Sequence, residues 1–216
     1  MYRVGADEAG KGPVLGPMIA AAVRATPDAL PAGVDDSKRL SPSRRESLAA
    51  SLRDASGVDV GVAVVPTDRI DDPATDMNSL TVEAQARAIA SIAGRGDAVV
   101  VDAGDVNEAR FARRVREFVA DRGVDVGVDA EHGADERFEL VGAASVVAKV
   151  ERDARIDALA DDYGDVGSGY PSDPATRKFL REFVRETGAL PDCARTSWGT
   201  CADLLDAAEQ SSLSEF

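Results

Sequence analysis

Residues 1–17 read M-Y-R-V-G-A-D-E-A-G-K-G-P-V-L-G-P. An apolar run leads into two adjacent acids, Asp7 and Glu8, and then into a glycine-bracketed lysine, Gly10-Lys11-Gly12. Carboxylates held together in a partly dry site repel one another unless a cation sits between them. A hard divalent ion such as Mg²⁺ suits such an all-oxygen setting, and glycines leave backbone N–H groups free to approach a phosphate or a sugar. The segment therefore suggests a metal and a phosphorylated substrate in one place. D-E-x-G is also a common way to leave a strand and enter a turn, so the rest of the chain has to decide.

Working outward, the chain has 216 residues, 44% of them hydrophobic, enough for one large domain with a real core or for a domain plus a small C-terminal extension. No apolar stretch approaches the ~20 residues that cross a bilayer. The N-terminus lacks the basic, apolar and cleavage-site pattern of a secretory signal, so the expectation is an intracellular, cytoplasmic protein. Cys193 and Cys201 lack the partners of a zinc site and read as free thiols. The formal charge is −14, with 21 Arg against 4 Lys and 26 Asp among the 39 acids. That composition resembles proteins of salt-accumulating halophiles. Nucleic-acid enzymes are normally basic, but in molar salt long-range attraction is screened in any case, and binding rests on hydrogen bonds, metal bridges and stacking.

Hydrophobic periodicity predicts strands over 2–7, 18–25, 58–65, 98–102 and 124–128. It predicts helices over 41–55, 80–93, 107–122, 143–163, 173–187 and 198–209, with residues 67–78 as a polar loop. Strands come first, then β-α alternation, then a helical C-terminal third: a mixed α/β sheet with helices on its faces. Asp102 closes the apolar run V-V-V-D as Asp7 closes its own, and Asp135 lies just before the long helix. Asp7, Glu8, Asp102 and Asp135 could converge on one end of the sheet, where clefts form. Adjacent strand residues point to opposite faces, so Asp7 and Glu8 share a site only if the strand ends or twists there. Two metals about 3.5–4 Å apart would let one activate water and the other stabilise the leaving oxygen, the chemistry of phosphodiester hydrolysis.

Five segments in order resemble the type 2 ribonucleases H (ribonuclease HII): D-E-A-G-K-G-P at 7–13, D-S-K-R-L at 36–40, V-D-A-G-D-V-N at 101–107, H-G-A-D at 132–135 with G-A-A-S-V-V-A-K-V-E-R-D at 142–153, and G-S-G-Y-P-S-D at 167–173. The resemblance covers nearly the whole chain. It implies a ribonuclease-H-like mixed five-stranded sheet flanked by helices, a catalytic domain at 1–165, a helical C-terminal extension at 166–209 packed on it, and a tail at 210–216. It places Asp7, Glu8, Asp102 and Asp135 on the family's metal-binding carboxylates, with Mg²⁺ or Mn²⁺ as cofactor, two per site during catalysis. Gly10, Lys11 and Gly12 fall on the motif that reads the ribonucleotide at an RNA–DNA junction, and Tyr170 on the tyrosine that stacks on the sugar and senses its 2′-hydroxyl, the group that separates RNA from DNA. Ser37 and Lys38 fall on a phosphate-contacting loop and Asn78 on a polar substrate contact. The implied reaction is endonucleolytic cleavage of RNA in RNA–DNA duplexes, leaving a 3′-hydroxyl and a 5′-phosphate, by a monomer.

Lys11 stands where the family usually has Arg, and a point charge does not replace a planar fork. Type 3 enzymes carry G-K-G there and cut hybrids without needing a junction, so junction strictness is open. Lone His132 reads as structural or as an aid to proton transfer or product release; Lys149 reads as a structural pair or a phosphate contact. Asp105 is expected to cap the helix that follows it, and Trp198 to anchor packing. Residues 210–216, with Gln210, Leu213 and Phe216, resemble a sliding-clamp-binding motif, a frayed tail being the alternative. The competing readings are a hybrid-specific type 3-like enzyme, a junction resolvase of related fold, and a non-catalytic clamp-tethered hybrid-binding protein.

Overall fold

The computed structural model describes residues 3–34 and 40–213. In chain order the elements are β1 (Arg3–Ala9), β2 (Met18–Ala25), α1 (Pro42–Asp54), β3 (Val58–Val65), α2 (Thr67–Ile70), α3 (Met77–Ala90), β4 (Ala98–Asp102), α4 (Glu108–Ala120), β5 (Gly127–Glu131), α5 (Glu139–Ala158), α6 (Ala160–Tyr163), α7 (Pro174–Thr187) and α8 (Gly199–Leu213). They divide into two units interleaved in sequence. The first gathers Met1–Ala9, Ile19–Val64 and Asp76–Glu151; the second gathers Gly10–Met18, Val65–Thr75 and Arg152–Phe216.

The first unit is built on a mixed five-stranded sheet of order β3-β2-β1-β4-β5. β1 pairs antiparallel with β2 and parallel with β4, and β4 pairs parallel with β5. Period-two alternation sends Val4 and Ala6 of β1, with Val99 and Val101 of β4, into one core with Val82, Ala86, Ile89, Phe111 and Val115 of α3 and α4. Ile19, Ala21 and Val23 of β2 bury into a second core with Leu48 and Leu52 of α1 and Val146 and Val147 of α5. Each fully buried Val or Leu contributes roughly 1.5–3 kcal/mol. Residues 141–148 of α5 are all buried, and the helix lies hard against β1: a Cβ at Gly5 would sit 2.3 Å from the carbonyl carbon of Leu140. Gly5 is what lets the strand carrying Asp7 reach that helix.

The strands 58–65 and 98–102 stand where the periodicity put them, and β1 runs on to Ala9. Other expectations need correcting. α3 starts at Met77, not 80, because the Asp76 carboxylate accepts from the Ser79 amide at 3.0 Å and its hydroxyl at 2.7 Å and so caps the helix. Asn107, not Asp105, caps α4, accepting from the Arg110 amide at 2.8 Å. Asp105 takes the Arg110 guanidinium instead, at 2.6 and 3.0 Å, which holds its carboxyl below the usual range. β5 lies three residues beyond 124–128, and Val126 buries as a loop residue ahead of it. The long helix begins at Glu139 and ends at Ala158, where the Leu159 amide turns to the Ile156 carbonyl and α6 splits off. One helical turn, α2, interrupts the expected loop at 67–78.

The second unit has its own core of Val14, Leu15, Ile156, Phe179, Leu180 and Cys201, joined by Trp198. Tyr163 meets Phe179 and Phe183 edge-on at 5.7 and 5.8 Å. Cys193 and Cys201 are buried free thiols, as expected, and burial pushes both up to about 11. Among the described residues no helix is long and apolar enough to cross a membrane.

Candidate functional site

Asp7 and Glu8 sit where the sheet opens. The β1–β4 ladder ends at Ala6↔Val101, so Asp7 and Asp102 are the next residues of their strands. β2 still pairs both acids, Asp7 with Ala21 and Glu8 with Ala20. The two side chains follow the strand's alternation and acquire different partners. Asp7 accepts a hydrogen bond from the Ser145 hydroxyl of α5, while Glu8 accepts one from the Gln85 amide of α3 at 2.6 Å. Asp7 is only 5% exposed. Burial first, then the charge of Glu8 and that of Asp102, raise its carboxyl well above the usual range, against the hydrogen bonds from Ser145 and the Glu8 amide. The Glu8 amide donates to Asp7 Oδ1 at 2.7 Å.

Asp102 is held on two sides. Its Oδ1 accepts from the Ala134 amide at 2.8 Å, and its main-chain carbonyl accepts from Gln85 Nε2 at 3.1 Å. The first bond ties β4 to the short turn Ala134–Glu136 that carries half-buried Asp135, entered through Gly133 at φ +63°. Lys149 Nζ donates to Ser145 Oγ at 2.7 Å, which links the lysine to Asp7 through one hydroxyl. The structure thus brings Asp7, Glu8 and Asp102 into electrostatic contact and binds the loop of Asp135 to Asp102. Among the described residues no three His, Cys, Asp or Glu side chains stand in a finished ligand arrangement. The donor set nevertheless fits a hard cation: all oxygen, partly buried, with a carboxylate whose like-charged neighbours disfavour its ionised form.

The second unit carries Gly10, Lys11, Gly12 and Tyr170. Gly10 is buried at φ +90°, Lys11 is half-buried and Gly12 is exposed. A Cβ on Gly12 would lie 3.7 Å from Tyr170 Cε1, so the bare backbone runs beside the ring. Tyr170 is 39% exposed, and the Arg152 guanidinium lies 4.8 Å over its ring centre. Arg152 also donates to the Ser168 carbonyl. The G-S-G-Y-P-S-D turn is closed by Asp173, which caps α7 through the Ala175 amide at 3.0 Å and takes the Ser168 amide at 2.6 Å. The Gly169 carbonyl accepts from the amides of Val14 at 2.8 Å and Leu15 at 3.2 Å, joining the Tyr170 turn to the segment after Gly12.

Asn78 is exposed in the first turn of α3. The His132 side chain is exposed; its amide donates to Glu108 and its carbonyl accepts from Arg137. Ser37, Lys38 and Phe216 lie outside the described residues. Gln210 is exposed near the end of α8, which closes at Leu213. Trp198 packs in the second unit's core, as expected. Three residues escaped the sequence reading. Gln85 carried a signal: it interrupts the stripe Thr81, Val82, Ala88, Ile89, all of it buried. Ser145 lay unremarked in the A-A-S-V-V-A-K run, and Arg195 carried no local signal.

A mixed five-stranded sheet with helices on its faces and acids at adjoining strand ends is the framework of a ribonuclease-H-like nuclease, and the comparisons agree. The family profile described as Ribonuclease HII matches residues 4–201. A protein named Ribonuclease HII from Halobacterium salinarum is 61% identical over 217 residues, spanning all of both chains. The crystal structure of the ribonuclease H2 from Pyrococcus horikoshii OT3 superposes with a TM-score of 0.88 at 36% identity, covering 97% of this chain and 100% of that one. The ribonuclease HII of Archaeoglobus fulgidus, solved as a complex with PCNA, superposes with a TM-score of 0.82 at 39% identity, covering 92% and 95%. The chain belongs to the ribonuclease HII family and is an endonuclease of the ribonuclease H type.

Proposed function

We propose that the chain hydrolyses the RNA strand of RNA–DNA hybrids and cuts 5′ of ribonucleotides embedded in duplex DNA, leaving a 3′-hydroxyl and a 5′-phosphate. Asp7, Glu8, Asp102 and Asp135 would hold Mg²⁺ or Mn²⁺, two ions during turnover. A bound divalent cation supplies Lewis acidity, lowering the pKa of water and taking up charge on the phosphate. The chain's own groups fix the carboxylates: the Ser145 hydroxyl on Asp7, the Gln85 side-chain amide on Glu8, and the Ala134 main-chain amide on Asp102. Lys149 supports Ser145. Gly10, Lys11, Gly12 and Tyr170 read the ribonucleotide; Ser37, Lys38 and Asn78 contact the backbone. His132, whose side chain is exposed, would assist proton transfer or product release.

The observation that carries this reading is Asp7, buried beside two further carboxylates, with no cation among the described residues lowering its carboxyl. A hybrid-binding protein without chemistry has no use for that arrangement. The test is Mg²⁺- or Mn²⁺-dependent cleavage in molar KCl of two duplexes, an all-RNA/DNA hybrid and a DNA duplex with one embedded ribonucleotide. Cleavage of both supports the reading. Cleavage of the hybrid alone would assign the type 3-like specificity that Lys11 leaves open.

A sliding clamp is the proposed partner of the tail, through Gln210, Leu213 and Phe216. The A. fulgidus relative's complex with PCNA supports it. Removing residues 210–216 should weaken clamp binding and leave cleavage by the free enzyme unchanged.

A further inference from the structure

Arg195 is a buried cation without a contacting acid. It is 0% exposed, in a chain with 39 acids, yet no carboxylate touches its guanidinium among the described residues. Its charge is taken up by three main-chain carbonyls: Nε donates to Gly16 O at 2.9 Å, Nη1 to Lys11 O at 3.0 Å, and Nη2 to Gly10 O at 2.6 Å. The Trp198 ring lies 5.0 Å from the guanidinium carbon, and Trp198 Nε1 reaches the Gly12 carbonyl at 3.4 Å. The Arg195 amide donates to Val14 O at 2.8 Å, and the carboxylate of Asp71 grips the next two residues through the amides and hydroxyls of Thr196 and Ser197 at 2.5–3.0 Å. Burying a guanidinium this way is costly unless what it holds is needed.

What it holds follows from peptide geometry. All peptide bonds described are trans, and in a planar trans peptide the C=O and the following N–H point in opposite directions. Arg195 draws the carbonyls of Gly10 and Lys11 toward itself, so it turns the N–H groups of Lys11 and Gly12 away. Gly12 is exposed, and its N–H has no acceptor among the described residues. The Tyr170 ring stands beside it. We propose that Arg195 is a positioning residue for specificity: through the Lys11 carbonyl it presets the Gly12 N–H group as a donor for the ribonucleotide beside Tyr170. The inference rests on the reading above that this loop recognises the ribonucleotide. Because the hydrogen bonds to Gly10 and Gly16 are buried, salt screens them little.

The experiment compares the native chain with Arg195→Lys and Arg195→Gln. Lysine keeps the charge but cannot span three carbonyls with a fixed fork. One arm measures binding, without divalent metal, of a DNA duplex with one ribonucleotide against the same duplex in all-DNA form. Both variants should lose preference for the ribonucleotide by about tenfold or more, with all-DNA binding and thermal unfolding midpoint little changed for Arg195→Lys. The second arm follows the Gly12 amide resonance and its hydrogen exchange, which should shift in both variants. Equal loss on both duplexes, or a preference retained in both variants, would overturn the proposal. If the native chain shows no preference, the recognition reading fails, and the amide arm still decides: an unshifted Gly12 amide would refute the positioning role.

Discussion

The two units handle buried charge in opposite ways. In the first, Asp7 is buried against Glu8 and Asp102 and receives, among the described residues, the neutral donors of the Ser145 hydroxyl and the Glu8 amide. Lys149 is one hydroxyl removed. In the second, Arg195 is buried as deeply and is fully engaged by main-chain oxygens. The negative site gathers like charges against one buried carboxyl, and the positive one is consumed in shaping a loop. Clustered like charges mark where a cation can enter, and a group fully satisfied marks where geometry is held.

The sharpest way to break this comparison is to remove the negative charge. Asp7→Asn should lower cleavage by roughly 10²–10³-fold or more, while the metal-free protein unfolds no more easily, because a neutral amide relieves the repulsion. A clear loss of metal-free stability would make Asp7 a structural acid. Next in size is Gly5→Ala, which drives a methyl group into the Leu140 backbone. Denaturant unfolding should report a loss of about 1–3 kcal/mol or more, and cleavage should fall with it, because the same strand and helix carry Asp7 and Ser145.

A smaller effect tests the positive side. Hydrogen bonds from Ser197 and Thr196 hold the Asp71 carboxyl below its usual range, against the opposing pull of burial. A depressed carboxyl contributes stability above its ordinary pKa and loses it as pH falls through the folded value. Asp71→Asn should therefore cost about 1 kcal/mol near neutral pH, and the difference from the native chain should shrink in acid. A difference independent of pH would mean that the carboxylate charge does not matter there. Smallest is Gln85→Met, which removes the amide hydrogen bond to Glu8. Cleavage at limiting metal should drop several-fold and recover at saturating metal; a deficit that persists at saturation would show a role beyond orientation.

Much of the negative site was legible in the sequence. Asp7 and Asp102 each close an apolar run of sequence, and both lie just past the end of the β1–β4 ladder, where a sheet offers side chains to a cleft. The G-S-G-Y-P-S-D turn was legible through its resemblance to the family, and the structure adds that Asp173 caps the next helix from within it. The supports were not. Gln85 and Glu8 are 77 residues apart, and Arg195 and Gly10 are 185 apart. Such pairings arise from chain crossings that no local periodicity records. The strand at 124–128 was misplaced for a local reason: the alternating run reads equally well three residues earlier, and only pairing of Val99 with Val128 settles the register.

The central claim is that the carboxylates of the first unit hold the catalytic cation. The most direct measurement is the thermal unfolding midpoint of the native chain and of Asp102→Asn as Mn²⁺ is titrated in molar KCl. The account predicts a saturable rise in the midpoint for the native chain, tracking the appearance of cleavage, and little or none for the variant. Equal rises in both would place the metal elsewhere and contradict it.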